Sequence, residues 1–152
     1  MIKILFVCYG NICRSPMAEF VMKDLVNKSG LSDKFYIASA ATSTEEIGNG
    51  VHYGTRNKLG EYGISTEGKK AVQLKKSDYD KYDYIIGMDS MNMRHMRRML
   101  PEDAGDKIRL LLDFSKNPRD IADPWYTGDF DTTYNDIFEG CTAFLDKLKQ
   151  EL

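Results

Sequence analysis

The sequence predicts an α/β fold: a single domain over residues 1–152, a doubly wound four-stranded parallel sheet with helices on both faces. Three observations carry that expectation. Strand-like apolar runs alternate four times with helical stretches, the order that lays parallel strands side by side under crossover helices. The runs are apolar at consecutive positions, as strands buried on both faces are. The 152 residues suit one domain with its own core, and no repeat or long linker divides them.

The elements follow in order. "IKILFV" (2–7) is a branched apolar run ended by Gly10 and Asn11, and reads as a strand. Pro16 then suits a first helical residue, where its missing N–H has no partner to lose. Met17, Phe20, Val21, Asp24, Leu25 and Lys28 keep helical spacing with the apolar members on one face, and Gly30 supplies a C-terminal cap. A second strand is expected over 34–41, a loop over 42–50 and a helix through "GTRNKLGEY" before Gly63. "YDYIIGM" (82–88) gives a third strand, and Ser90 to Leu100 a helix stopped by Pro101. "KIRLLLDF" (107–114) gives a fourth strand, and a polar loop runs from Ser115 to Asp129. In the last helix Tyr134, Ile137, Phe138, Cys141, Phe144, Leu145 and Leu148 form an apolar stripe.

Composition excludes several classes. Hydrophobic residues are 42% and charged residues 29%, a globular balance. The net charge of −2 and a pI near 5.7 give no reason to expect nucleic-acid binding. The basic run Arg94–Arg98 reads as a solvated helix face. "MIKILFVC" lacks the features of a signal peptide and no stretch has the length of a membrane span, so a cytoplasmic protein is expected. Three cysteines do not make a disulfide framework, and each is open to chemistry.

That chemistry centres on "FVCYGNICRSPMAE" (6–19). In open parallel sheets ligands bind beyond the carboxyl ends of strands, where Cys8 falls. A loop from strand end to helix start curls its amides inward, and the helix N-terminus adds partial positive charge. Gly10 permits a tight turn and Asn11 tolerates a left-handed backbone. Arg14 offers a planar fork for two oxygens of a phosphoryl group. A thiol in such surroundings is brought from about 8.5 to roughly 3.5–7.5. Ser15 adds a hydroxyl donor to the sulfur. These residues make a cradle for a dianion with a nucleophile beneath it, with no metal or other cofactor implied. Cys141, on the apolar stripe, reads as core.

"VCYGNICRSPMAE" resembles the signature of the low-molecular-weight protein tyrosine phosphatases, and the likeness extends to "DYIIGMD" (83–89) and "DPWYTGDF" (123–130). The resemblance implies a phosphate-binding loop at 8–15 and cysteinyl-phosphate catalysis without a cofactor. It makes Cys8 the nucleophile, Arg14 the phosphate clamp and Asp123 the general acid and then base. From the residues alone Asp123 reads equally as a surface turn, and the histidines His52 and His95 stand apart from other site signals; the family's Asp-Pro motif decides for Asp123. Tyr9, Gly10, Asn11, Ile12, Cys13, Ser15, Trp125 and Tyr126 are then the expected substrate-binding set. Asn11 is expected to hold the loop through side-chain hydrogen bonds. The resemblance also implies that Cys13 can form a protective disulfide with Cys8. The partners implied are phosphotyrosine proteins or peptides and small aryl phosphates, met by a monomer or a weakly self-associating chain.

Two departures stand out. Glu45 holds a pocket-wall position often aromatic in the family and is followed by Glu46, which favours basic residues flanking the phosphate or is simply a solvated loop. "EGKKAVQL" (67–74) replaces a His-x-Ala-Arg stretch, removing a histidine that normally supports the loop. Three rivals share parts of the pattern. A protein arginine phosphatase is associated with Thr where this chain has Ile12. An arsenate reductase needs two further cysteines after the third strand, and residues 82–100 hold none. A phosphate-binding domain without turnover would have no use for Cys8, Arg14, Ser15 and Asp123 together.

Overall fold

The first strand organises the molecule. In the computed structural model, which describes residues 1–152, β1 (Ile2–Cys8) sends Ile4, Phe6 and Cys8 into one apolar cluster and Leu5 and Val7 into another. That division is the period-two alternation of a strand with core on both sides. β2 (Phe35–Ala41) and β3 (Tyr84–Gly87) flank it, and β4 (Ile108–Leu110) completes a parallel sheet of order β2-β1-β3-β4. The expected α/β class and the four parallel strands are both present.

On the Ile4–Phe6 face lie α1 (Arg14–Lys28), α2 (Tyr53–Gly60) and α6 (Phe130–Lys149); the short α3 (Asp78–Lys81) and α4 (Ser90–Met99) cover the other. Gly30, with φ of 71°, ends α1 as expected. Its N–H bonds to the Asn27 carbonyl and that of Leu31 to Val26, the paired closure a left-handed residue permits. None of these helices is long and apolar enough to cross a membrane.

Three sequence expectations need correction. The fourth strand is three residues long, not eight: β3 ends at Gly87, so residues beyond Leu110 have no neighbouring ladder. Leu111–Phe114 turns instead into a short 3-10 helix that buries Leu111 and Leu112. Leu111 seats against Gly140 of α6, where any side chain would collide with it. The polar loop before α6 contains another helical turn, α5 (Pro124–Thr127), and Phe138 leaves the stripe of α6, 43% exposed and stacked on Tyr134.

Candidate active site

Cys8 ends β1 at the carboxyl edge of the sheet, paired in register with Ala41, and the chain then turns through Tyr9–Cys13 into α1. The turn residue is Asn11, with φ of 58°. The left-handed backbone expected of Asn11 is thus present, while Gly10, expected to permit the tight turn, has no positive φ and would accept a Cβ at ordinary contact distance. The turn aims two amides at the Cys8 sulfur: Asn11 N–H at 3.3 Å and Ser15 N–H at 3.4 Å, with the Ser15 hydroxyl at 3.0 Å.

The direction of the Ser15 bond follows from what lies behind it. Asn11 donates through Nδ2 to Ser15 Oγ (2.7 Å) and to Ser39 Oγ (2.9 Å), while its Oδ1 accepts from the Val72 amide (3.1 Å). Ser39 donates to Glu19 Oε1 at 2.5 Å. An ionised carboxylate only accepts, so Ser39 commits its proton to Glu19 and takes one from Asn11. Ser15 therefore accepts from Asn11 and has its own proton free for the sulfur. Glu19 is 4% exposed and is held by Lys23 Nζ (2.5 Å) and Lys69 Nζ (3.7 Å). Lys69 also donates to the Ser39 carbonyl (2.9 Å), and burial lowers its pKa. From the segment where the sequence lacked the expected histidine, Val72 thus reaches the loop at Asn11 and Lys69 reaches Glu19 and Ser39 behind it.

Arg14 is 2% exposed, its fork fixed by three acceptors. Nη1 donates to Asp89 Oδ2 (2.6 Å) and the Ile121 carbonyl (2.9 Å), and Nη2 to Asp123 Oδ2 (3.4 Å). Burial opposes its charge, but Cys8, Asp89 and Asp123 outweigh it and raise the guanidinium's pKa. Asp89 is held in turn by α4, whose N-terminus it caps by accepting from Asn92 N–H (2.8 Å).

Asp123 caps α5 in the same manner, Oδ1 accepting from Trp125 N–H (3.1 Å). Pro124 occupies the first helical position, and Gly128 closes the turn at φ of 71°. These elements meet at a cleft lined by Cys8, Tyr9, Gly10, Ile12, Cys13, Arg14, Glu45, Glu46, Asp123, Trp125 and Tyr126. Of the residues expected from sequence, only Asn11 and Ser15 lie outside this lining; they are buried behind the loop. The rim carboxylates are pinned: Tyr9 donates to Glu45 (2.9 Å) and Asn49 to Glu46 (2.6 Å). Burial, then Cys8 and Asp123, push the Cys13 thiol up to about 12.

Sequence inspection missed Asp89, Glu19, Ser39, Lys69 and Val72. Asp89 had a signal, an acid directly after a strand and before a helix. The others had none, each being an ordinary residue brought in by the fold.

A thiol facing amides, a fixed guanidinium and a carboxyl share one cleft, an arrangement able to receive a tetrahedral oxyanion. Comparison with known proteins gives the family. The family model described as low molecular weight phosphotyrosine protein phosphatase matches residues 3–152. The chain is 42% identical to the low molecular weight protein-tyrosine-phosphatase YfkJ of Bacillus subtilis, over 99% of this chain and 98% of that one. The crystal structure of YfkJ superposes with a TM-score of 0.95, covering 99% and 96% of the two chains. Identity to the low molecular weight phosphotyrosine protein phosphatase of Mus musculus is 40%, over 95% and 94%. The Drosophila arginine phosphatase DARP matches with a TM-score of 0.87 at 34% identity, over 97% and 98%. The chain belongs to the low molecular weight phosphotyrosine protein phosphatase family. It is accordingly a phosphoric monoester hydrolase.

Proposed function

We propose that this protein hydrolyses phosphotyrosine in proteins or peptides, and small aryl phosphates, through a cysteinyl-phosphate intermediate and without a cofactor. The observation that carries the proposal is the Cys8 sulfur at the cleft floor, facing three donors, with Asp123 on the opposite wall. The phosphoryl oxygens lie among the loop amides and the Arg14 fork. The sulfur attacks phosphorus in line as the ester oxygen departs, and Asp123 gives that oxygen its proton. A phenolate whose conjugate acid has a pKa of about 10 needs such a donor. Water then attacks the phosphocysteine, Asp123 takes a proton from it, and phosphate leaves. Sulfur departs as a thiolate with the Ser15 proton directed at it.

Ile12, Trp125 and Tyr126 line the entrance and provide apolar surface for a phenyl ring. Ile12 offers a guanidinium no side-chain hydrogen bond, which favours phosphotyrosine over phosphoarginine. An arsenate-reducing cycle is disfavoured because Cys141, the one cysteine outside the loop, is 0% exposed within α6. The protein acts in this scheme in the cytoplasm, as a monomer or a weakly self-associating chain.

The test is phosphate release from p-nitrophenyl phosphate, phosphotyrosine and phosphoarginine by wild type and Cys8→Ser. Cys8→Ser is expected to abolish turnover, with phosphotyrosine the better natural substrate of the wild type. A phosphoarginine preference would retain the mechanism and overturn the substrate; full activity of Cys8→Ser would end the mechanism itself.

A further inference from the structure

We infer that His52 is a positioning residue that ties the acid-bearing turn to the phosphate loop, an inference that rests on Asp123 being the general acid. His52 is placed to do this from both ends. Its backbone N–H donates to the Ile12 carbonyl (2.8 Å), inside the phosphate loop. Its ring meets the edge of Trp125, two residues from Asp123, with centroids 5.5 Å apart at 73°. The other contacts fix the ring's plane. Phe130, at the start of α6, stacks on it at 5.5 Å and 10°, and Tyr53 at 4.5 Å and 28°. Phe130 can lie there because residue 54 is glycine; its ring occupies the space a Cβ would take.

The imidazole's orientation is set independently of those rings. Nδ1 accepts the Gly54 N–H (3.0 Å) and so caps α2, which fixes the tautomer with hydrogen on Nε2 and holds the side chain in one rotamer. A ring fixed by its own helix and touching both Trp125 and Phe130 brackets the 125–130 segment. Lys58 of α2 adds a second tie to that segment's far end, at 2.7 Å from Asp131. The Asp123 carbonyl accepts from the Tyr126 and Thr127 amides (3.1 and 3.2 Å), so the residue moves with the turn, while its carboxylate is held by the Trp125 amide and one long contact to Arg14. Proton transfer depends on sub-ångström placement of the donor, so a loosened Trp125 misplaces the acid while leaving the nucleophile and its cradle intact.

Such a defect depends on the leaving group. A substrate that expels p-nitrophenolate needs little protonation, whereas one that expels phenolate needs it fully. The experiment measures kcat/KM for p-nitrophenyl phosphate and phenyl phosphate in wild type, His52→Asn, His52→Phe, Asp123→Ala and the double variant His52→Asn/Asp123→Ala. His52→Asn keeps an acceptor to cap α2 but removes the ring; His52→Phe keeps a ring but removes the cap. His52→Asn is expected to lose about tenfold on phenyl phosphate and about twofold on p-nitrophenyl phosphate. His52→Phe, whose ring Phe130 and Tyr53 still stack but no cap orients, should shift the ratio of the two substrates clearly less than His52→Asn does, and His52→Asn should change nothing further in the Asp123→Ala background. Equal losses on both substrates, a loss in His52→Phe matching that of His52→Asn, or full additivity with Asp123→Ala would each overturn the inference. If Asp123→Ala itself leaves the substrate ratio at its wild-type value, the general-acid assignment fails and the inference falls with it.

Discussion

The two sides of the phosphate loop are built to different standards. Behind it, Asn11, Ser15, Ser39 and Glu19 are all at most 4% exposed and joined by hydrogen bonds of 2.5 to 2.9 Å. In front of it, Trp125 is 56% and Tyr126 82% exposed, and the Asp123 carboxylate relies on a 3.1 Å cap and a 3.4 Å contact. The rear must present fixed dipoles to a charge that develops on sulfur and phosphoryl oxygens, and dipoles that need not reorganise stabilise it most. The front must admit a side chain attached to a protein and release it again, so it cannot be sealed.

Arg14→Lys tests the fixed side hardest. It removes the planar fork and leaves Asp89 and the Ile121 carbonyl short of donors, and kcat/KM for a phosphotyrosine peptide is expected to fall about 10²–10³-fold. Ser39→Ala comes next, since it leaves Glu19 without its hydroxyl donor and frees one hydrogen of Asn11. Unfolding in urea should show a loss of about 1–3 kcal/mol, accompanied by a lower kcat. Unchanged kcat with reduced stability would mean that the rear network holds the fold but does not tune the sulfur. Trp125→Ala probes the open side: losing a ring contact worth about 0.5–1.5 kcal/mol should raise KM for aryl phosphates about 2- to 12-fold, and losing the edge contact to His52 should lower kcat for phenyl phosphate more than for p-nitrophenyl phosphate.

The smallest expected effect concerns Cys13. Its thiol is held at about 12 in the fold, against about 8.5 in an unfolded chain. A raised acid favours its neutral form in the native state, so its contribution is constant below about pH 8.5 and stability falls as pH rises from there towards 12. At pH 9 the loss is below about 1 kcal/mol. Urea midpoints at pH 7 and 9 should fall less for Cys13→Ala than for wild type. Cys141, raised also by burial, is common to both proteins and cancels.

What could be read from the sequence was what lies close together in it. The run Ile2–Val7, the Gly30 stop and the Cys8–Arg14–Ser15 spacing are all local, and each is where it was expected; Pro16, expected as a first helical residue, is the third, because α1 starts at Arg14. The left-handed turn at Asn11 is local too and is found at that residue. The fourth strand was drawn too long because an apolar run does not reveal where its neighbour ends. The rear network escaped notice for a third reason. Ser39 and Asp89 are separated from Asn11 and Arg14 by 28 and 75 residues, and only the strand order β2-β1-β3 makes them neighbours.

Those separations govern when the protein can become active. Arg14 bonds the Ile121 carbonyl 107 residues away and contacts Asp123 at 109. The nucleophile is made early in synthesis, yet its clamp has no fixed geometry until the last third of the chain has docked. Contacts of such range form late and slowly. Recovery of enzymatic turnover on refolding therefore marks completion of the whole fold, and a nascent chain halted before residue 123 carries a loop thiol without a catalyst around it.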